Sequence, residues 1–135
     1  MKWNFSIEKE FIIKTQNNPG TLFQIASLLG NAGINIEAIT AFAINEKTAI
    51  FRIVTNDYKT ASQMLKRAPI NIEVNENDII VVKLENKPGE LAKLTEVIYK
   101  AGIDLNAIYI LRADKITEVA ISSDNNSKIK SLLSG

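Results

Sequence analysis

The chain repeats itself, and that repeat limits its fold more than any other feature. Laid on itself at an offset of 69 residues, the separation of Pro19 from Pro88, it matches residue for residue at many points. Lys14, Asn17, Gly20, Leu22, Ala32, Gly33, Ile34, Ala38 and Ile39 meet Lys83, Asn86, Gly89, Leu91, Ala101, Gly102, Ile103, Ala107 and Ile108. Further on the offset becomes 68, and Ala49–Ile53 overlies Thr117–Ile121. Four of the six glycines and two of the three prolines fall in matched pairs, and these are the residues that direct a backbone most strongly. The 135 residues therefore hold two copies of one unit. A unit of that size buries only about 60% of its extended-chain surface, so two are expected to lean on each other.

Each copy parses alike. Residues 10–16 are apolar and β-branched, which predicts a strand. Asn17-Asn18-Pro19-Gly20 is a turn, with Pro19 suited to the first turn of the helix that follows. Leu22, Ile25, Ala26 and Leu29 recur at helical spacing, and Gly33 suits the left-handed residue after a helix end. A hairpin, 35–44 and 47–54, turns at Asn45-Glu46. Asn56 or Asp57 caps a second helix with Tyr58, Ala61, Leu65 and Ala68 inward, and Pro69 stops it. Residues 70–74 alternate as a strand. The second copy reads 78–85, 89–101, 104–113, 116–122 and 126–133. The fold class is α+β: two ferredoxin-like βαββαβ units, antiparallel sheets with helices on one face. The domains predicted are 1–76, with an extra N-terminal strand, and 77–135, whose final strand is lacking or supplied by 70–74. Two arrangements stay open. In one, hairpins through Glu8-Lys9 and through residues 75–77 give each repeat an added leading strand. In the other, 70–74 pairs with 11–16.

The composition excludes much. With no histidine and no cysteine, the commonest general base, thiol nucleophiles, disulfides and Cys/His metal sites are all absent. No acid–base pair clusters, so no catalytic residue, metal or cofactor is predicted and the chain reads as a non-enzyme. A net charge of +1 without a basic run argues against nucleic acid or an anionic membrane as partner. The start of the chain lacks the apolar core of a signal peptide, and no long apolar run follows, which predicts a cytoplasmic protein.

Residues 17–22 and 85–91 resemble the loop between strand 1 and helix 1 of ACT domains, the amino-acid-sensing modules of biosynthetic enzymes. Ala32–Ile36 and Ala101–Leu105 resemble the family's junction from helix 1 into strand 2. The resemblance covers residues 10–135. It implies a free-standing tandem ACT protein that binds a free amino acid between ACT units and regulates a partner enzyme. Units pair within the chain or in a homodimer, with Phe23 and Tyr99 finding cover between first helices. An alternative is a ligand-free ACT interaction protein that modulates a partner enzyme.

The ligand-binding residues implied are Asn17, Asn18, Gly20, Thr21, Leu22, Asn35 and Ile36 in the first repeat. In the second they are Asn86, Gly89, Glu90, Leu91, Asp104 and Leu105. Helix-start N–H groups suit a carboxylate, so Gly20 to Leu22 are expected to hold it. Gly20 and Gly89 allow close approach, and asparagine amides can serve either charged group of the ligand. Asp104, in place of asparagine, favours an ammonium and repels a carboxylate, so the second site is expected to differ or to be vestigial.

Overall fold

A computed structural model of the chain describes residues 2–135. It divides into two units: Lys9–Asn77, and the N-terminal residues through Glu8 together with Asp78–Gly135. The division differs from the expected one, 1–76 and 77–135, in giving the first residues to the second repeat.

In the Lys9–Asn77 unit, strand β1 (Phe5–Gln16) pairs antiparallel with β3 (Thr48–Thr55), Phe11 opposite Ile53 and Gln16 opposite Thr48. Strand β2 (Ile36–Ala43) takes the other side of β3, with a bulge between Ile36 and Ala38. The first residues of β4 (Ile72–Glu85) flank β1, so the order reads β2-β3-β1-β4. Thr15 Oγ1 donates to the Asn71 carbonyl at 3.2 Å beside this edge. Helices α1 (Thr21–Asn31) and α2 (Tyr58–Lys66) bring Ile25, Leu29, Ala61 and Leu65 onto the same core as Phe11, Ile13, Phe51 and Ile53. Each fully buried aliphatic side chain of this kind contributes about 1.5–3 kcal/mol. Ile70, Ile72 and Val74 pack against that core, which settles the open question: residues 70–74 serve the first repeat.

The second unit is built the same way from strands β5 (Ala107–Ala113) and β6 (Ile116–Ser122) and helices α3 (Glu90–Lys100) and α4 (Asn126–Leu133). Its order, β5-β6-β4-β1, is completed by the opening residues of β1. Lys83 N–H donates to the Asn4 carbonyl at 2.9 Å, and Trp3 N–H to the Leu133 carbonyl at 2.8 Å. Trp3 and Phe5 pack on the core of Ile80, Val82, Leu94, Val119, Ile121 and Leu133. The expected hairpins are therefore not formed. Residues 8–9 and 75–77 lie inside the continuous strands β1 and β4. Neither segment has a glycine or proline to reverse the chain, and the only positive-φ residues described are Gly33, Gly89, Gly102 and Gly135.

Helix ends follow local chemistry. Of the two cap candidates it is Asp57 that caps α2, accepting from Thr60 N–H at 3.2 Å. Gly20 is the N-cap of α1, so Pro19 precedes the first turn instead of sitting in it. After α1, Ile34 N–H returns to the Leu29 carbonyl and Gly33 N–H to that of Gly30; Ile103 and Gly102 do likewise after α3. This closure needs a left-handed residue, and φ is 75° at Gly33 and 70° at Gly102. Phe23 and Tyr99, for which cover between first helices is expected, are 73% and 79% exposed.

Helix α2 is fastened to β4 by Glu76, whose carboxylate accepts from the Ser62 hydroxyl and from Tyr58 Oη at 2.8 Å, with Lys66 Nζ 3.6 Å away. The Ser62 hydrogen bond, more than the Tyr58 bond and the lysine charge, holds this carboxyl below its ordinary value of 4.5, against the opposing effect of burial. A lowered folded-state pKa gives stability that is complete above the unfolded value and lost as pH falls through the folded one. The urea midpoint should therefore drop on acidification below about pH 4.5, and Ser62→Ala should make that drop shallower. An unchanged acid limb in Ser62→Ala contradicts the assignment. Trp3→Ala, which truncates a partly buried aromatic, should cost about 2–3 kcal/mol. Amide hydrogen exchange should accelerate in residues 78–133 more than in 9–77; equal acceleration in both refutes the N-terminal segment's place.

Candidate ligand-binding site

The turn before each first helix is anchored to the hairpin of its own repeat. Asn17 N–H donates to the Lys47 carbonyl at 2.8 Å, and Asn86 N–H to the Lys115 carbonyl at 3.0 Å. Asn86 adds a side-chain bond, Nδ2 to the Asp114 carbonyl at 2.8 Å, so its amide is oriented by the fold. In the first turn Asn18 Oδ1 accepts from Gly20 N–H at 3.0 Å, and the Asn18 carbonyl from Thr21 N–H at 3.2 Å. Two of the three donors expected to hold a carboxylate are thus engaged within the turn. An anion arriving there has to share or displace them.

The two glycines differ. Gly20 has φ −95°, open to any residue, and an added Cβ would meet only Asn18 Oδ1 at 3.7 Å. Gly89 sits at φ +89°, where a side chain is strained. Asn35 is held through its backbone: its N–H donates to Asn56 Oδ1 at 2.9 Å and its carbonyl accepts from Asn56 N–H at 3.1 Å. The corresponding Asp104 accepts at its carbonyl from Ser123 Oγ at 3.0 Å. Ile36 and Leu105 pack against the cores of their repeats.

One cavity brings several of these residues together. Asn86, Glu90 and Leu91 line a pocket of about 270 Å³, together with Glu85 and Lys87 of the same turn. Leu84, Thr117 and Val119 line it from the inner strands, and Ile108, Tyr109 and Ile110 from β5. Gly89, Asp104 and Leu105 do not line it. In the first repeat, Asn17 and Asn18 share a depression with Gln16, Pro19, Glu46 and Lys47. Gly20, Thr21, Leu22, Asn35 and Ile36 lie outside that depression.

The sequence motifs did not mark Ile108, Ile110, Thr117 or Val119. Register does. Ile110 faces Val119, and Val119 faces Val82, so all three share the helix-bearing side of the sheet. The edge strand β5 lies beyond the cover of that side, and Ile110 is left 60% exposed.

The pocket rim carries both signs of charge. Lys87 Nζ lies 2.9 Å from Glu85 Oε2 and 3.4 Å from Glu90 Oε1, and Lys93 Nζ lies 3.3 Å from Glu90 Oε1. The hydrogen bond from Lys87 holds the Glu85 carboxyl below the usual carboxylate range; that bond, then the one to Glu90, raises the Lys87 ammonium. Such a rim suits a zwitterion better than a simple anion or cation. No group of three or more carboxylates able to hold a metal occurs among the described residues.

Two βαββ-type units, each with an Asn-x-Pro-Gly turn at the start of its first helix, define an ACT pair. The chain belongs to the ACT domain pair family, whose model matches residues 7–134. No curated protein matches it. Among solved structures it is similar to protein BT0572 from Bacteroides thetaiotaomicron, with 26% identity, a TM-score of 0.84, and 96% of this chain and 88% of that one covered. It is similar in fold to the ligand-free regulatory subunit of aspartate kinase from Thermus thermophilus: 16% identity, TM-score 0.64, 98% and 97% coverage. The aspartokinase alpha and beta subunits give 17% identity and a TM-score of 0.61, with 98% and 96% covered.

The backbone difference between the glycines is testable. Gly89→Ala should destabilise the protein by about 1–2 kcal/mol, the strain of a left-handed residue with a Cβ. Gly20→Ala should leave the urea midpoint nearly unchanged. Equal effects contradict the turn geometry.

Proposed function

We propose that this ACT pair is a non-catalytic, cytoplasmic regulatory module. It binds a free amino acid at the turn before a first helix, with strand 2 of a neighbouring ACT unit closing the site. Binding then changes affinity for a partner, a biosynthetic enzyme, through a coupling energy of about 1–3 kcal/mol. One observation carries the reading: Asn86, Glu90 and Leu91, singled out by the motif, line the same pocket as a rim of both charges. The aspartate kinase regulatory subunit shares the fold, which supports regulation as the role. No helix among the described residues is long and apolar enough to cross a membrane.

Calorimetric titration against the twenty amino acids checks this directly. An amino acid has few heavy atoms, and at about 0.3–1.5 kcal/mol per atom its Kd should be micromolar to millimolar. Asn17→Ala should weaken any binding at the first turn by about 1–3 kcal/mol, the loss of a hydrogen bond to a charged group. Gly20→Val should abolish it while the fold persists. No heat with any amino acid would falsify the proposal.

A further inference from the structure

The two repeats differ at facing positions beside the pocket: Val119 and Ile110 of the second stand where the first has Phe51 and Ala41. On β6, Val119 stands opposite Val82 and Ile110. The equivalent residue on β3 is Phe51, opposite Ile13 and Ala41. Phe51 is only 7% exposed and belongs to the core of its repeat. The larger ring thus stands in the first repeat where the second has valine. Beside Val119 lies the 270 Å³ pocket, floored by Leu84, Ile110, Thr117 and Val119 and walled by Leu91. The depression at the first turn is lined by polar residues of the turn and the hairpin instead.

From this difference we infer that the second repeat is the one that takes a ligand side chain, and that the ligand is an α-amino acid with a large apolar side chain, branched aliphatic or aromatic. The inference rests on the reading of the chain as an amino-acid-binding module and goes beyond it in naming the repeat and the ligand class. The volume lies just under the ~300–1,000 Å³ of ordinary small-molecule pockets, which matches one amino acid and not a nucleotide or a larger metabolite. The floor, apolar apart from the Thr117 hydroxyl, gives a charged side chain no counter-ion, and burying such a group unpaired is strongly unfavourable. The ion pairs of Lys87 with Glu85 and Glu90 leave both a cation and carboxylates at the mouth for the ligand's own carboxylate and ammonium. Asp104, on which the expectation of a differing or vestigial second site rested, does not line the pocket.

The test is calorimetry on the full chain with leucine, isoleucine and phenylalanine against lysine, aspartate, threonine and glycine. The apolar set should bind at least about tenfold more tightly than the others. Val119→Phe, which copies Phe51, should lower leucine affinity about tenfold or more while the melting curve stays cooperative. Should the added ring disrupt the core, Leu91→Glu, at a half-exposed position on the pocket wall, should give the same loss. If charged or small amino acids bind as well as leucine, or if neither variant alters leucine affinity, this inference fails while the regulatory reading stands. If no amino acid binds at all, both fail. A change in sedimentation of Leu91→Glu without any ligand effect would mean that a second copy of the chain occupies the pocket, which also overturns the inference.

Discussion

Each unit depends on what covers the free side of its opening strand. A ferredoxin-like sheet that starts in its middle leaves a row of N–H and C=O groups unpaired there until a fourth strand arrives. In the Lys9–Asn77 unit the fourth strand is Ile72–Asn77, which follows in sequence. In the other unit it is the start of the chain, where the Lys83 N–H meets the Asn4 carbonyl. The second repeat is thus a permuted copy of the first. Its last strand stands ahead of everything else, and Trp3 and Phe5 do for its core what Ile72 and Val74 do for the first.

That pairing holds the parts of the site in register. Once the opening strand is fixed, the turn after it is pinned to the hairpin by Asn17 in one repeat and by Asn86 in the other. The helix then starts at a set distance from strand 2 of its own repeat. Packing decides what remains between them. Phe51 and Val119 both belong to their cores, but beside the smaller Val119 lies a pocket that Ile110 and Leu91 also line. Changes of strand side chains, Phe51 to Val119 and Ala41 to Ile110 among them, thereby alter the surface beside the turn while the turn motif stays the same in both copies.

Most of the fold was legible in the sequence because glycine, proline and apolar spacing act locally. Gly33 and Gly102 do adopt left-handed backbone after their helices, and Asp57 does cap its helix. The place of residues 3–8 was not legible. Their alternation matches that of 72–74 equally well as a leading or a closing strand, and only long-range hydrogen bonds separate the two. The turns expected at residues 8–9 and 75–77 failed because Glu, Lys and Asn tolerate an extended backbone as well as a turn. In the site, motif residues marked the turn but not the strand residues behind it. Ile108, Ile110 and Val119 look like any other core alternation until register places them beside the turn.

The central claim is that the turn and edge strand of an ACT unit receive a free amino acid. Backbone amide NMR of the labelled chain, titrated with a mixture of amino acids, tests it without prior choice of ligand. Saturable shifts centred on residues 86–91 and 107–110, with weaker or no change at 17–22, are the predicted result. Shifts confined to other residues, or none at millimolar concentrations, would contradict it.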